Sequence, residues 1–266
     1  MKHLLLIAAL TALTALTAHA FSQPTPTPTR QPQTATAPSP TPRTGHPPLT
    51  ITHLIGDCYI YTTYGLAGGE PYPANSMYLI TDKGAVMFDV PWDSTQDQPL
   101  LDSIENRHHQ HVVLCISTHF HEDRTAGLSW LSRQGIPTWS SEMTKELCRL
   151  HHEAQAGNVF TKDTTFTVGN YSFRTFYPGA GHTKDNIVIW VPKPRVLYGG
   201  CFVKSTEATD LGNLSDADPA AWAASIRRVM AAFPDPAFVI PGHLDWTDKE
   251  SLSHTTRLLE EYKAAH

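Results

Sequence analysis

Apolar positions in this chain cluster into short β-branched runs, and in each half these give way to stretches with helical spacing. The run His111-Val112-Val113-Leu114-Cys115-Ile116-Ser117 is almost unbroken, as expected of a strand buried on both faces. Before it, strands are predicted over 51–54, 58–64, 76–81 and 85–90, and a helix over 94–107. After it come helices over 126–133 and 141–154. The second half repeats the order, with strands over 164–168, 171–177, 186–191 and 196–198, then helices over Pro219–Ala232 and 249–264. A last strand-like run, Ala237-Phe238-Val239-Ile240, lies between those two helices. Strands followed by helices, twice over, predict an α/β fold of two sheets packed face to face with helices outside. The pattern does not by itself fix the strand order.

The N-terminus follows different rules. Met1-Lys2-His3 is a short basic start, Leu4 to Leu16 is apolar and alanine-rich, and Ala18-His19-Ala20 is a small-x-small cleavage pattern. Residues 1–20 therefore read as a secretory signal peptide, which places the mature protein in the periplasm. No cysteine precedes Cys58, which excludes a lipid-anchored N-terminal cysteine. Residues 21–50 hold nine prolines in thirty positions. So little apolar surface cannot offset the entropy of ordering, and 21–48 is expected to be a disordered linker before a domain over 49–266. The formal charge of −5 offers no basic footprint for nucleic acid. Four cysteines, Cys58, Cys115, Cys148 and Cys201, are expected to be free buried thiols rather than a disulfide framework.

Candidate chemistry begins where the 111–117 run ends, at Thr118-His119-Phe120-His121-Glu122-Asp123-Arg124. In extended chain, residues two apart share a side, so His119, His121 and Asp123 can converge. Imidazole and carboxylate are zinc ligands at about 2.0–2.2 Å. Three later segments each set a further candidate beside glycine: Gly181-His182, Gly199-Gly200-Cys201 and Gly242-His243. Glycine lets the backbone turn and approach closely where a Cβ would clash. Four ligand segments supply enough donors for two metal sites.

With these residues in view, the chain resembles a class B metallo-β-lactamase, of the subclass that pairs a three-histidine site with an Asp-Cys-His site. The likeness runs from about Leu49 to the C-terminus. It implies a four-layer αββα sandwich with two zinc ions at one edge of the sheets, one held by His119, His121 and His182, the other by Asp123, Cys201 and His243. It also implies roles for other positions: Asp123 as an orienting acceptor, Asn213 in Gly212-Asn213-Leu214 as an oxyanion donor, and Lys204 as partner of a substrate carboxylate. Asp89 resembles a buried carboxylate behind the ligands, Trp92 a pocket wall, and 64–73 a mobile flap. Glyoxalase-type and RNA-processing relatives typically read His-x-His-x-Asp-His and carry a bridging aspartate. Here Arg124 and Cys201 stand in those places. A thiolate suits zinc and disfavours magnesium or calcium. No Ser-x-x-Lys occurs, which argues against serine-type β-lactamase chemistry.

The expected activity is therefore zinc-dependent opening of the lactam amide in penicillins, cephalosporins and carbapenems. The expected partner is that small molecule alone, with no nucleic acid, no stable membrane association and a monomeric chain. Two alternatives stay open: a hydrolase of the same superfold acting on a thioester or lactone, and a zinc-binding exported protein without catalysis. The remaining histidines, His108, His109, His111, His151 and His152 among them, are expected at the surface.

Overall fold

The structure is a computed structural model that describes residues 47–266. The expected signal peptide and nearly all of the Pro/Thr-rich segment lie outside the described residues. The first sheet holds β1 (Thr50–Ile55), β2 (Cys58–Ala67), β3 (Glu70–Thr81), β4 (Gly84–Phe88), β5 (Val112–Ile116), β6 (Thr138–Ser141) and β7 (Asn158–Phe160), in that spatial order. Pairing is antiparallel from β1 to β4 and parallel from β4 to β7. The second sheet holds β8 (Thr165–Val168), β9 (Tyr171–Phe176), β10 (Val188–Val191), β11 (Val196–Gly200) and β12 (Phe238–Pro241), ordered β12-β11-β10-β9-β8. Only its β11–β12 pair is parallel. The helices are α1 (Asp97–His108), α2 (Glu122–Thr125), α3 (Leu128–Arg133), α4 (Glu142–His151), α5 (Pro219–Ala232) and α6 (Ser251–Ala265).

Alternation along the strands builds the layers. In β4, Val86 and Phe88 face the second sheet, while Ala85 and Met87 face Leu100 and Ile104 of α1 and Leu128 and Leu131 of α3. In β11, Val196 and Tyr198 point between the sheets and Leu197 points at Trp222, Ile226 and Val229 of α5. Both sheets are thus covered on both faces, which is why these runs are apolar at nearly every position. The four-layer αββα sandwich is the architecture that forms.

Three local expectations differ. The 64–73 segment is not a loop, because β2 and β3 stay paired out to Ala67 and Glu70. Gly68 and Gly69, both at positive φ, close it as a two-residue hairpin turn. The short strands β6 and β7 carry too few residues to announce themselves in the sequence. The helix expected over 126–133 starts two residues later, as α3, and a separate four-residue helix, α2, precedes it across Ala126 and Gly127.

Candidate metal centre

The centre is built where strands of both sheets end. β5 delivers Ser117 and Thr118, and then His119. Ser117 Oγ donates to the carbonyls of His119 (3.1 Å) and Arg124 (3.1 Å), which pins both sides of the loop. His121 is the last extended residue before α2, and Asp123 lies in that helix's first turn. The helical turn, rather than continued extended chain, carries Asp123 round to the others. His182 lies in the loop between β9 and β10, Cys201 directly follows β11, and His243 follows β12 by two residues. Gly242 makes the last two compatible. A Cβ there would stand 2.6 Å from Cys201 N and 2.8 Å from its Sγ, so any side chain would force the two strand ends apart.

Six donor atoms converge in two groups. His121 Nδ1 stands 3.2 Å from His119 Nε2 and 3.1 Å from His182 Nε2. The three rings are mutually steep, at 78–89°, with centroids 4.9–5.0 Å apart. One N–H on His121 Nδ1 could serve only one of those two contacts, so the cluster is not a satisfied hydrogen-bond network. It is three lone pairs aimed at one point. In the second group, Cys201 Sγ is 3.1 Å from His243 Nε2 and 3.3 Å from Asp123 Oδ2, and those two are 3.3 Å apart. Nitrogen or oxygen donors about 2.0–2.1 Å from a tetrahedral centre would lie about 3.3–3.4 Å from one another, and a thiolate at about 2.3 Å slightly further, so these spacings are close to those zinc requires. His119 also lies close to the second group, with His119, Asp123 and Cys201 offering ligand atoms within 4.8 Å of one another.

Protonation fits as well. Burial, then the nearness of the His121 ring, holds His119 well below the usual histidine range. Burial and Lys204 do the same to His182, and burial lowers His243 against the pull of Asp123. Burial alone would raise Asp123, but Arg124 and His243 hold it well below the usual carboxylate range. Neutral imidazoles and an ionised carboxylate are the forms a metal binds. Cys201 is the exception: burial pushes its thiol up more than Arg124 brings it down, so metal binding there must displace a proton.

Behind the donors stands Arg124, which is fully buried. Its Nη1 donates to Asn75 O (2.7 Å), Ser76 Oγ (3.2 Å) and Tyr198 OH (3.2 Å). Its Nη2 donates to Cys201 Sγ (3.1 Å) and Gly242 O (2.8 Å), and Nε pairs with Asp123 Oδ2 at 3.0 Å. Asp89, at φ 64°, accepts from Thr118 N (2.7 Å), Thr118 Oγ1 (2.8 Å) and Tyr198 OH (2.6 Å). A non-glycine residue at positive φ is strained, and these contacts hold it there. Burial lifts its carboxyl to about 6, although Arg124 works in the other direction.

A cavity of about 460 Å³ lies over the donors, walled by Tyr72, Trp92, Lys204 and Asn213. Trp92 packs edge-on against His243 (6.0 Å) and Tyr72 tilts against it (5.2 Å). Gly65 leaves room for the Trp92 indole, into which a Cβ would collide. Lys204 Nζ lies 5.4 Å from the Trp222 ring centroid. Asn213 Oδ1 accepts from Ser215 N (3.0 Å), which orients the carboxamide at the cavity rim.

All the expected site residues are therefore brought to one place. Sequence reasoning missed the hub role of Arg124, the tyrosine partner of Asp89, and Asp216, whose Oδ2 lies 3.1 Å from His121 Nε2. Such a carboxylate fixes the orientation of a ligating imidazole. It sits in no motif, and nothing in its spacing marks it. His108 is also not a plain surface residue, since its Nε2 lies 2.9 Å from Tyr78 OH. All four cysteines are free and buried.

Comparison with known proteins agrees with the geometry. The family described as the metallo-beta-lactamase superfamily matches residues 69–243. A relative from Elizabethkingia meningoseptica named "Metallo-beta-lactamase type 2" is 38% identical over 217 residues, 82% of this chain and 87% of that protein. "Metallo-beta-lactamase IND-1" from Chryseobacterium indologenes is 40% identical over 203 residues, 76% of this chain and 85% of that protein. Among solved structures, a metallo-beta-lactamase from Pontibacter korlensis superposes with a TM-score of 0.77 at 35% identity, covering 80% of this chain and 99% of that one. With the family match spanning most of the folded chain and the donor atoms grouped as they are, this protein belongs to the metallo-β-lactamase superfamily.

Proposed function

We propose that this chain is a zinc-dependent β-lactamase that hydrolyses the lactam amide of penicillins, cephalosporins and carbapenems and so gives resistance to them. The observation that carries the reading is the convergence of six donor atoms into two zinc-sized groups on the floor of an open cavity. His119, His121 and His182 would hold one ion, and Asp123, Cys201 and His243 the other. When bound, zinc supplies a water whose pKa falls from about 15.7 towards roughly 7, and polarises a carbonyl.

The remaining roles belong to the chain. Asp123, kept ionised by Arg124, accepts a hydrogen bond from the attacking water and orients it. The Asn213 carboxamide donates to the oxygen that becomes anionic as water adds to the lactam carbonyl. The carbonyl carbon–nitrogen bond then breaks, the nitrogen takes a proton from solvent, and a ring-opened amino acid leaves. Lys204 pairs with the carboxylate these antibiotics carry, and Trp92 with Tyr72 covers the apolar side of the bound molecule. Asp216 and Pro73 O, which lies 2.7 Å from His243 Nδ1, keep two of the imidazoles turned towards the ions.

We further propose that the chain is exported to the periplasm through its first 20 residues and acts there as a monomer with two zinc ions. The support is the basic start, apolar stretch and small-x-small pattern at residues 1–20. No helix among the described residues is long and apolar enough to cross a membrane. The deciding experiment follows carbapenem hydrolysis by the zinc-loaded protein, after exhaustive chelation, and after zinc is returned. Activity that is lost and then recovered, with two metals per chain at saturation, is expected. Hydrolysis that survives chelation, or its absence from a fully loaded preparation, would sink the reading.

A further inference from the structure

His243 reaches the metal centre on a turn that departs from ordinary backbone. It follows β12 by two residues, and Leu244, directly after it, stands at φ 62°. A left-handed conformation is strained for leucine and persists only where the surroundings impose it. What imposes it here comes from the other sheet. Asn75 of β3 is 1% exposed, and its side-chain amide donates to Pro241 O (3.2 Å) and Leu244 O (2.8 Å). Its backbone N–H donates to Gly242 O at 2.8 Å. Three carbonyls around His243 are thus held by one distant residue. The same strand also fixes the ring, because Pro73 O accepts from His243 Nδ1 at 2.7 Å.

The Asn75 carboxamide has no freedom to turn over. Thr62 Oγ1 of β2 donates to its Oδ1 at 2.9 Å, and both N–H bonds of Nδ2 are taken by the two carbonyls. On its other side, Asn75 O accepts from Arg124 Nη1 (2.7 Å) and Tyr198 OH (3.1 Å). Asn75 therefore ties the guanidinium that supports Asp123 and Cys201 to the turn that carries His243. Those three residues are the donors of one group. Among the described residues, Asn75 makes no hydrogen bond to His119, His121 or His182, the donors of the other.

We propose that Asn75 is a positioning residue for the second metal: by clamping the 241–244 turn it presents His243 to the ion shared with Asp123 and Cys201, and so sets that ion's affinity without touching it. This rests on the two-ion reading given above. The test titrates zinc against a competing chelator into the parent, Asn75→Ala and Asn75→Ala/Leu244→Gly. Cobalt(II) is titrated in parallel, since only the Cys201 group can give a thiolate-to-cobalt charge-transfer band. In Asn75→Ala the second equivalent should weaken roughly ten- to a hundred-fold while the first holds, and the band should fade at cobalt levels that saturate the parent. Glycine adopts positive φ without a clamp, so adding Leu244→Gly should recover much of that loss, which a mere loss of packing would not allow. If Asn75→Ala does not fold, Thr62→Val, which only unhooks the carboxamide oxygen, should weaken the second equivalent selectively and decides in its place. A parent that never takes two equivalents overturns the two-ion reading and this proposal together. A parent that takes both, with the variants weakening the two alike or neither, or with no recovery from Leu244→Gly, overturns the proposal alone.

Discussion

Arg124 Nη2 donates to Cys201 Sγ at 3.1 Å, so the only sulfur in the two donor groups rests on a guanidinium that has no contact with solvent. Burial opposes the charge on Arg124, but Cys201 and Asp123 outweigh it and hold its pKa well above the usual range. Removing one partner of such a network leaves buried charge uncompensated. Arg124→Ala should therefore lower the unfolding free energy by about 3–5 kcal/mol. Arg124→Lys keeps the charge but not the planar fork, and should fall in between. Denaturant unfolding of the zinc-loaded proteins measures both. A loss below about 1 kcal/mol for Arg124→Ala would show that the hub does not hold the fold.

Cys201→Ser separates the two ions. The thiol belongs to the group with Asp123 and His243, and Ser is a poor replacement for a soft ligand. Zinc titration with a competing chelator should show the second equivalent weakened far more than the first. Because burial raises the Cys201 thiol, that second equivalent should also bind more tightly as pH rises, and the dependence should vanish in the serine variant. Equal weakening of both equivalents would contradict the assignment.

Much of this site is legible from residues alone, because its ligands follow strands and sit beside glycines. β5 ends at Ile116 and the first histidine comes three residues later. Gly200 and Gly242 flag the close approach of Cys201 and His243. What stays hidden is whatever depends on distant chain meeting. Asn75 Nδ2 donates to Leu244 O at 2.8 Å across 169 positions, and Tyr198 reaches Asp89 across 109. Neither residue type is unusual where it stands. The sequence understates the length of the β2–β3 hairpin for a different reason. Gly65, Pro71 and Pro73 argue against strand locally, but pairing with a long neighbouring arm overrides that preference.

A pH dependence should come from Asp97, away from the metal centre. Burial, with Asp93 adding to it, lifts its carboxyl from the ordinary 3.8 to about 7, and neither oxygen has a hydrogen-bond partner. The folded state therefore holds a proton that the unfolded state has released. Stability falls as pH rises from about 4 to about 7 and levels off above that. Three pKa units bound the effect at about 4 kcal/mol. Asp97→Asn should remove the slope, so that its advantage over the parent grows between pH 4.5 and 8. Parallel stability curves for the two proteins would mean that Asp97 does not titrate in this range.

Lys204 carries the last prediction. Its ammonium is partly buried beside the cavity, and burial lowers its pKa although Cys201 and Asp123 pull the other way. A cation that has lost part of its hydration gains more from an arriving carboxylate than a solvated one does. If it binds the antibiotic's carboxylate equally in the ground and transition states, Lys204→Ala should raise the Michaelis constant more than it lowers turnover. A charge-assisted contact of this kind is worth about 1.5–3 kcal/mol, or roughly ten- to a hundred-fold. The lysine also stacks 5.4 Å from the Trp222 ring, so a merely structural role has to be separated from a binding one. Esterifying the substrate carboxylate does this. The ester has no charge to lose, so the variant should handle it about as well as the parent does. Equal losses on the free acid and its ester would mean that Lys204 supports the wall through Trp222 and does not touch substrate.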